Sequence, residues 1–478
     1  AVISIAGVDQ TSSTVDNINE GSTMNFVISI SNPVDDDIDL TISTSTQGAG
    51  IADFQQFTNA LRTISAYSSA DLIFPVQTTD DGLVEDNEDF TLEIVSFNLL
   101  SAYKDGGLVS LPGGAGQVSA VGLIEDDDEA FIRFVANPTG IEGDDLVNNV
   151  AFSVELTSPV DQFIQVDAAA ILSAGAGFAS ANDISFTGSV ISWTAGTNDA
   201  KPILIPIRAN DIVEGDETFE VELDNLTNLG VNYDVNLADI GSMTASASVK
   251  AIGTITDDDV AIVSVQGTGS VTEGTADISL LLSTSKQIDK NISLDVIATG
   301  VEASAVTDYD AAGINPATIT TLTSSTNIVI GIDDDNIVEG TETFTVDISS
   351  VADLTLGGYN IFIANGSSVA GPLGTINLNN EDQSVVTISD NDEAVISIVD
   401  ATVNETDGTI DIVVNIAGGV TYDSDVTIPV VFDDQGSVNT DGDTDVTFSV
   451  STITIDSNTG SGSATLIISP DALTDGIE

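Results

Sequence analysis

One acidic motif occurs three times in the chain at nearly constant spacing, and this repetition limits the possible folds more than any other feature. Its copies are "DDGLVEDNEDFTLEI" (Asp80 to Ile94), "NDIVEGDETFEVEL" (Asn210 to Leu223) and "DDNIVEGTETFTVDI" (Asp334 to Ile348). Their first glutamates are 129 and 125 residues apart: Glu85, Glu214 and Glu339. A fixed period of this length predicts tandem domains built on one plan.

Three further landmarks keep the same period. An acidic triplet closes each of three units: Asp126, Asp127 and Asp128; Asp257, Asp258 and Asp259; Asp390, Asn391 and Asp392. A glutamate lies 12 to 19 residues into each unit: Glu20, Glu142, Glu273 and Glu405. An aspartate precedes each motif glutamate by 31 to 33 residues: Asp53, Asp183, Asp308 and Asp445. Together they predict four units, 1–128, 129–259, 260–392 and 393–478, the last truncated at Glu478.

The segments between these acids predict the fold class. Short runs such as "MNFVISI", "ISLLLS" and "GTIDIVVNI" alternate apolar and polar residues between Gly, Asn, Asp and Ser turns. This period-two pattern predicts strands with one buried face. The best helical candidate, "ADFQQFTNALRTI", is interpreted as one turn or a loop. We therefore predict an all-β chain of two-sheet sandwiches, with cores that include Phe90, Leu92, Phe219, Val221, Phe344 and Val346.

The charge balance excludes several classes of partner. The chain has 76 acidic and 8 basic residues and no histidine, a net charge of −68. Such a surface repels nucleic acid and anionic lipid and attracts cations. The chain has no cysteine, which excludes disulfides and thiolate metal sites. No apolar run approaches the roughly 20 residues of a membrane helix, so we predict no membrane insertion. The first residue is Ala, which suggests a piece of a longer chain.

The whole pattern resembles a known domain. A glutamate, an aspartate beside an aromatic residue, "DDxxxExxExFxVxL" and a closing "DDD" resemble the Calx-β domain of the sodium–calcium exchanger, integrin β4 and many bacterial surface proteins. The resemblance covers essentially the whole chain and implies tandem immunoglobulin-like sandwiches in an extended array. An Asn-, Ile- and Thr-rich array of this kind also resembles the large gliding-motility and adhesin proteins of Bacteroidetes. That resemblance implies an extracellular, cell-surface location.

The resemblance also implies a calcium cluster at one end of each sandwich, where Ca²⁺ would find the about six to eight oxygens it prefers. Carried over by position, the ligands of the first unit are Glu20, Asp53, Asp80, Asp81, Glu85, Asp126, Asp127 and Asp128. Those of the third are Glu273, Asp308, Asp334, Asp335, Glu339, Asp390 and Asp392, with a neutral oxygen from Asn391. Those of the fourth are Glu405, Asp445 and Glu478. The second motif glutamates, Glu88, Glu217 and Glu342, are peripheral ligands or solvated.

The second unit departs from this pattern. Ala209 and Asn210 occupy the positions of Asp80 and Asp81, although Asp211 is adjacent. The remaining ligands would be Glu142, Asp183, Asp211, Glu214, Asp257, Asp258 and Asp259. We expect a weaker site there, or fewer ions, because a calcium site depends on the number of charged ligands.

Some acidic residues have another interpretation. The run Asp35–Asp36–Asp37 has no counterpart in the other units and is interpreted as surface. "DDQGSVNTDGDTD" (Asp433 to Asp445) mimics an EF-hand loop without flanking helices, so apart from Asp445 it is interpreted as a loop. All the acids could form a solvated surface, as in halophilic proteins. Their recurrence in register favours ion sites over that alternative.

Several functions stay open at this stage. Without His or Cys the chain has no Ser-His-Asp, Cys-His or zinc arrangement, and acids repeated in every unit are typical of architecture, so we predict no enzyme. One function is the calcium-stiffened stalk of an extracellular adhesin. The alternative is a self-assembling subunit of a filament, sheath or surface layer, and an ion sensor is a third. The expected partners are calcium ions, neighbouring repeats, and other surface proteins or copies of the chain. Trp193, the single Trp, is interpreted as core.

Overall fold

A computed structural model describes residues 1–6, 16–99, 109–112, 118–143, 148–175, 177–227, 229–230, 232–305, 307–352, 358–371, 374–417, 420–431 and 446–469. In these residues every regular element is a strand, apart from one 3-10 helix, η1 (Glu405–Asp407). The all-β prediction is confirmed. No helix within the described ranges has the length and hydropathy needed to cross a bilayer.

The first repeat is a sandwich of two sheets. Its strands are β1 (Ile3–Ala6), β2 (Asp16–Asn19), β3 (Thr23–Ile30), β4 (Ile38–Thr46), β5 (Ala60–Ile64), β6 (Leu72–Gln77), β7 (Glu88–Leu99) and β8 (Val118–Glu125). One sheet has the order β1-β3-β6 and the other β2-β8-β7-β4-β5. Phe26, Phe74 and Phe90 are fully buried between them.

The second repeat has two five-stranded sheets. Its strands are β9 (Ala130–Phe134), β10 (Thr139–Ile141), β11 (Asn149–Leu156), β12 (Ile164–Ile171), β13 (Ser189–Trp193), β14 (Lys201–Pro206), β15 (Ile212–Val213), β16 (Glu217–Asp224), β17 (Val235–Ala238), β18 (Ala245–Ser246) and β19 (Val249–Thr256). The sheet orders are β10-β19-β16-β12-β13 and β14-β11-β9-β17-β18. Trp193 is 1% exposed and its Nε1 donates to the Asp199 carbonyl, which confirms its interpretation as core.

The third repeat follows the same plan. Its strands are β20 (Ala261–Gln266), β21 (Gly269–Thr272), β22 (Ile278–Thr284), β23 (Gln287–Ile288), β24 (Ile292–Gly300), β25 (Tyr309–Asp310), β26 (Ala317–Ile319), β27 (Ser325–Ile332), β28 (Ile337–Val338), β29 (Glu342–Ala352), β30 (Ile361–Ile363), β31 (Ser368–Gly371), β32 (Gly374–Asn377) and β33 (Gln383–Ser389). The sheet orders are β25-β27-β22-β20-β30 and β21-β33-β29-β24-β26.

The fourth repeat is smaller in the described residues. Its strands are β34 (Val395–Ile398), β35 (Thr409–Ala417), β36 (Thr421–Tyr422), β37 (Val426–Pro429), β38 (Val446–Phe448), β39 (Thr452–Ile455) and β40 (Ser461–Ile468). They form the sheets β34-β35-β40-β38 and β37-β39. The core is correspondingly small: Val414, Ile453, Ile455 and Ala464.

The motif strands supply the core as their alternation predicts. In β16, Phe219, Val221 and Leu223 are buried, while Glu220 and Glu222 face outward. All six predicted core residues are at most 2% exposed: Phe90, Leu92, Phe219, Val221, Phe344 and Val346. Burying an aromatic or aliphatic side chain contributes roughly 1.5–3 kcal/mol, so the start of each motif strand is firmly anchored.

The chain divides into two compact units, which do not coincide with the repeats. One comprises residues 1–209 and 217–256, and the other residues 210–216 and 257–478. The first half of the second motif thus belongs with the third repeat. The limits of the four sequence units stay predictions.

Candidate metal sites

A short strand places the first glutamate of each repeat beside the acidic triplet. Strands β2, β10 and β21 run parallel to the last strands β8, β19 and β33, so both strands of each pair end at the same edge. The N–H groups of Glu20, Glu142 and Glu273 donate to the carbonyls of Glu125, Thr256 and Ser389 at 3.2, 3.0 and 3.2 Å. The triplet follows directly along the chain, which explains why two distant landmarks share a period.

A glycine follows each of these glutamates for a geometric reason. Gly21, Gly143 and Gly274 have φ values of +67°, +80° and +62°, which L side chains rarely adopt. A Cβ on Gly21 would also lie 2.7 Å from the Cβ of Asp80. The turn therefore brings the chain close to the start of the acidic motif.

The first aspartate of each triplet ties the triplet to the motif. The Oδ2 atoms of Asp126, Asp257 and Asp390 accept the N–H groups of Glu85, Glu214 and Glu339 at 3.1, 3.1 and 2.9 Å. Their Oδ1 atoms accept the N–H groups two residues on, of Asp128, Asp259 and Asp392. The same scaffold is present in three repeats, including the second, which lacks the acidic pair.

The loop aspartate is held on both sides. The carboxylates of Asp53, Asp183 and Asp308 accept the N–H groups of Gly50, Ser180 and Ser304. Their carbonyls accept the N–H groups of Thr79, Arg208 and Asp333. In the first and third repeats the next residue is aromatic and stacks on the motif phenylalanine: Phe54 on Phe90 at 4.4 Å and Tyr309 on Phe344 at 4.2 Å between ring centroids. Core packing thus fixes the position of the carboxylate.

These elements assemble four groups of three carboxylates, whose ligand oxygens lie within 4.8 Å of one another. We call two of them triplet groups: Glu20, Asp126 and Asp128, and Glu273, Asp390 and Asp392. The other two are motif groups: Asp53, Glu85 and Glu88, and Asp308, Glu339 and Glu342. In the described part of the chain, all four groups therefore belong to the first and third repeats.

Burial and mutual repulsion raise the pKa of seven carboxyls in these groups. Burial is the largest cause for each group, and the neighbouring carboxylates add to it. The pKa is raised to about 6 for Asp126, to about 7 for Glu20, Glu85, Glu273, Glu339 and Glu342, and to about 8 for Glu88. A bound cation would offset this repulsion.

The second aspartate of the motif, Asp81 or Asp335, lies close to both carboxylate groups of its repeat. The charge of Asp81 raises the pKa of both Glu20 and Glu85, and that of Asp335 raises the pKa of both Glu273 and Glu339. Each of these aspartates also accepts, through Oδ1, the N–H two residues on, at 2.8 and 2.7 Å. The turn thus fixes one oxygen and leaves the other available to the groups.

Unpartnered buried oxygens test whether these residues fit a metal ion. Within the described ranges, five site atoms are buried without a hydrogen-bond partner: Asp128 Oδ2, Glu273 Oε2, Asp308 Oδ1, Asp335 Oδ2 and Asp392 Oδ2. Glu273 and Asp308 are only 1% and 2% exposed. A buried charged oxygen is costly unless a cation or a donor compensates it. Oxygen-only ligands of this kind suit a hard divalent cation.

The other predicted ligands of these repeats lie at the margin. Asp127 is exposed, and its Oδ2 accepts from Asn19 Nδ2 at 3.2 Å. Asp334 Oδ1 accepts from Asn391 Nδ2 at 3.0 Å, so Asn391 acts as a donor here. Asp80 packs beside Gly21. None of these residues is in the four groups formed by the described residues.

The second motif glutamate was left open by the sequence, and the structure places two copies inside the site. Glu88 and Glu342 begin β7 and β29 and belong to the motif groups. Glu217 has the same spacing of three residues from Glu214 and is in none of the four groups of the described residues, so spacing alone could not have identified them.

The second repeat has a different arrangement around its motif. Asn210 Oδ1 accepts the Ile212 N–H at 2.6 Å, the turn bond that Asp81 makes in the first repeat. Lys286 Nζ lies 3.0 Å from Asp211 Oδ1 and 2.5 Å from Asp259 Oδ1. The side chain of Asp211 is 83% exposed.

The remaining predicted ligands of the second repeat lie in two different compact units. Glu142, which is 4% exposed, and Asp183 belong to the first compact unit. Glu214 and the triplet, Asp257, Asp258 and Asp259, belong to the other. In the part of the chain that the structure describes, no group of three carboxylates includes any of them.

The run Asp35–Asp36–Asp37 is not repeated as a run, but its first residue occupies a loop position that recurs in other repeats. The carbonyls of Val34, Val160 and Ile288 accept the N–H groups of Tyr67, Gly196 and Leu322 at 2.6, 2.7 and 2.7 Å, so these three residues occupy one structural position. Asp35, Asp161 and Asp289 follow them. The flanking loop sequences differ enough to hide this equivalence.

Most of the predicted site of the fourth repeat lies outside the described residues. Glu405 begins η1, whereas Asp445, Glu478 and the loop from Asp433 to Asp445 lie outside the described residues.

Comparison with known proteins agrees with the repeat pattern. The sequence model of the Calx-beta domain matches residues 125–248 and 256–358. A comparison with curated protein sequences gave no match.

Similar solved structures include CBD12 from CALX1.2, 15% identical, covering 54% of this chain and 100% of that chain with a TM-score of 0.23. The apo-form Calx CBD1 domain is 20% identical, and the match covers 28% of this chain and 100% of that chain with a TM-score of 0.21. The titin I-band fragment I67-I69 is 10% identical, and the match covers 80% of this chain and 96% of that chain with a TM-score of 0.24. These TM-scores are too low to carry an argument. By the sequence match, two consecutive segments of the chain, residues 125–248 and 256–358, are similar to the Calx-beta domain.

Proposed function

We propose that this chain is a calcium-binding repeat stalk of a large extracellular adhesin or related cell-surface protein, and that bound calcium stiffens its joints. The observation that carries the proposal is the recurrence of the same two carboxylate groups in the first and third repeats. Each motif group lies directly next to the segment that contacts the following repeat. A catalytic site is needed once, whereas a structural site is useful in every repeat, so the repetition supports a non-enzymatic role.

The ligand chemistry supports calcium as the ion. Every group consists of carboxylates, several with buried oxygens that have no partner among the described residues. Hard cations prefer such ligands, and Ca²⁺ accepts the irregular geometry that loops provide. One similar solved structure is described as the calcium binding domain CBD12 of CALX1.1, and this also supports the proposal.

The roles of the residues follow from their positions. Glu20, Asp126 and Asp128 would hold one ion, and Asp53, Glu85 and Glu88 a second, with Asp81 between them. Glu273, Asp390 and Asp392, and Asp308, Glu339 and Glu342, would do the same in the third repeat, with Asp335 between them. Calcium supplies the positive charge that removes the repulsion inside each group. The ion then links loops that are distant in sequence into one rigid end.

The composition supports an extracellular setting. The chain has no cysteine, so calcium rather than disulfides would have to cross-link it. Extracellular calcium modules have dissociation constants of roughly 10⁻⁴ to 10⁻³ M, which match a calcium-rich environment. The strongly acidic surface resists aggregation and repels anionic membranes.

Equilibrium calcium binding and small-angle scattering of the 478-residue chain test the proposal. We expect about two ions in each of the first and third repeats and weaker binding in the second, because calcium affinity follows the number of charged ligands. Chelation should make the chain more flexible and more sensitive to protease, since close-range repulsion is only partly screened at physiological salt. Absence of binding, or equal flexibility with and without calcium, would contradict the proposal.

A further inference from the structure

The same contact recurs at three joints between repeats. The residue before each motif glutamate pairs in parallel with a short segment of the following repeat: Val84 with Val160, Val213 with Ile288, and Val338 with Tyr422. The motif thus continues beyond its own sandwich as a short strand on the neighbouring one. We call these three pairs the joint pairs.

The first two joint pairs are buried in the core of the following repeat. Val84 is 0% exposed and packs in the core of the second repeat, and Val213 is 0% exposed and packs in the core of the third. Backbone bonds fix the alignment: the Asp161 N–H donates to the Val84 carbonyl at 3.1 Å, and the Asp289 N–H to the Val213 carbonyl at 3.2 Å. The first two motifs are therefore firmly attached to the repeats that follow them.

This register places an aspartate of the following repeat opposite each motif glutamate. One residue beyond the joint pairs, Glu85 is aligned with Asp161, Glu214 with Asp289, and Glu339 with Asp423. Neighbouring strands are about 4.8 Å apart. The electrostatics agree, because the charge of Asp161 raises the pKa of Glu85, and that of Asp423 raises the pKa of Glu339 and Glu342.

Asp161, the first of these aspartates, has a hydrogen-bonded carboxylate with one oxygen that lacks a partner among the described residues. Tyr233 hydrogen-bonds to Asp161, and burial followed by this bond raises the pKa of Tyr233 to about 12. Asp161 Oδ1 is buried and has no hydrogen-bond partner among the described residues. The motif group of the third repeat contains a similar unpartnered oxygen, Oδ1 of Asp308, whose residue is 98% buried. A buried carboxylate oxygen without a partner, on an aspartate aligned with a motif glutamate, is costly unless a cation compensates the charge.

We propose that the motif groups of the first and third repeats are cation sites shared between repeats, to which the following repeat supplies a ligand, Asp161 or Asp423. The inference rests on the proposed calcium binding and adds residues from outside the repeat that holds the rest of the site. A bound ion would tie the two repeats directly. Without the ion, the aligned glutamate and aspartate repel each other at the point where the motif enters its neighbour.

Calcium titration of the full chain and its isosteric variants tests this assignment. Asp161→Asn keeps an acceptor for Tyr233 and removes one charge, so it should weaken one class of site by roughly tenfold. Asp423→Asn should do the same at the third joint and serves as the independent second variant. Asp35→Asn is the matched control, because Asp35 occupies the same loop position and is aligned with no motif glutamate in the described residues.

A double-mutant cycle makes the test specific to a shared ion. If Asp161 and Glu85 bind the same ion, the combined Asp161→Asn and Glu85→Gln variant should lose less affinity than the sum of the single losses. Wild-type affinity in both Asp161→Asn and Asp423→Asn would overturn the shared site and leave the calcium function standing. A wild-type chain that binds no calcium would overturn both.

Discussion

The first and third joints differ from the second in the charged side chains that lie beside the motif. Each of the three joints has an equivalent joint pair. At each joint the first aspartate of the triplet also accepts a hydrogen bond from the N–H group of the motif glutamate. The first and third joints adjoin groups of three carboxylates. At the second joint an ammonium, Lys286, contacts Asp211 and Asp259. The same scaffold therefore accompanies a group of carboxylates at the first and third joints and a lysine ammonium at the second.

The second joint is adapted to this internal cation in several ways. The triplet there is buried, with Asp257, Asp258 and Asp259 at 5%, 7% and 2% exposure. Burial alone would lower the pKa of Lys286, but its hydrogen bonds to Asp259 and Asp211 outweigh it and raise the pKa. Asp289, the equivalent of Asp161, accepts a hydrogen bond from the Tyr359 hydroxyl at 2.6 Å. We therefore expect the second joint to be less dependent on calcium than the other two.

Removing the ammonium should have the largest effect of any single substitution at the joints. Lys286→Met keeps the aliphatic stem and leaves the buried Asp259 without its lysine. Removing one partner leaves the buried charge of the other uncompensated. We therefore expect a loss of about 2 kcal/mol in the free energy of unfolding. Denaturant unfolding in chelator measures it.

The matched control for this change is Lys201→Met. Lys201 pairs with Asp199, whose side chain is 65% exposed, so the loss there should be within about 0.5 kcal/mol. If the two variants lost equal stability, the special role of Lys286 at the second joint would be wrong.

Neutralising the motif glutamate should weaken calcium binding in the third repeat more than in the second. Glu339→Gln removes a charged ligand from a motif group and should weaken binding in the third repeat by roughly tenfold. Glu214→Gln makes the same change where no group of three carboxylates is found among the described residues, so it should alter the titration little. Calorimetric titration of both variants provides the measurement, and equal losses would contradict the comparison.

The pH dependence should be smaller but characteristic. Glu85 has a pKa of about 7 in the folded chain, against 4.5 as its ordinary value, chiefly because of burial. The folded state therefore binds more protons than the unfolded state between these values. In chelator, the free energy of unfolding should fall as the pH rises from about 4.5 to about 7.

Calcium should oppose this fall, since it competes with the protons and binds more tightly as the pH rises. Thermal unfolding across this pH range, with and without calcium, measures the effect. A stability that rises with pH in chelator would contradict the assignment of these carboxyls to a repulsive group.

The sequence predicted the architecture better than the details of the sites. Alternation around Phe219 and Phe344 predicted the buried strands, and the period of the acids identified the residues that form the carboxylate groups. The role of Glu88 was left open, because spacing alone does not show which way a side chain at a strand start will point. The predicted weakness of the second site followed from Asn210, and it stays a prediction.

The contributions of neighbouring repeats could not be predicted. Lys286 and Asp161 lie in loops whose meeting with a motif depends on tertiary pairing between repeats, and local periodicity does not encode such pairing. The relation between Asp35 and Asp161 was missed for the same reason, since it becomes evident only from the hydrogen bonds of the Val34 and Val160 carbonyls.

Hydrogen exchange at the joint amides, with calcium and with chelator, tests the central claim most directly. The Asp161 N–H donates to Val84, the Asp289 N–H to Val213, and the Thr421 N–H to the Asn336 carbonyl at 3.0 Å, so each amide reports on one joint. Local opening sets their exchange rates. We predict that chelation speeds exchange of Asp161 and Thr421 by at least about tenfold and leaves Asp289 nearly unchanged. Equal acceleration of all three, or no change in any, would contradict the account.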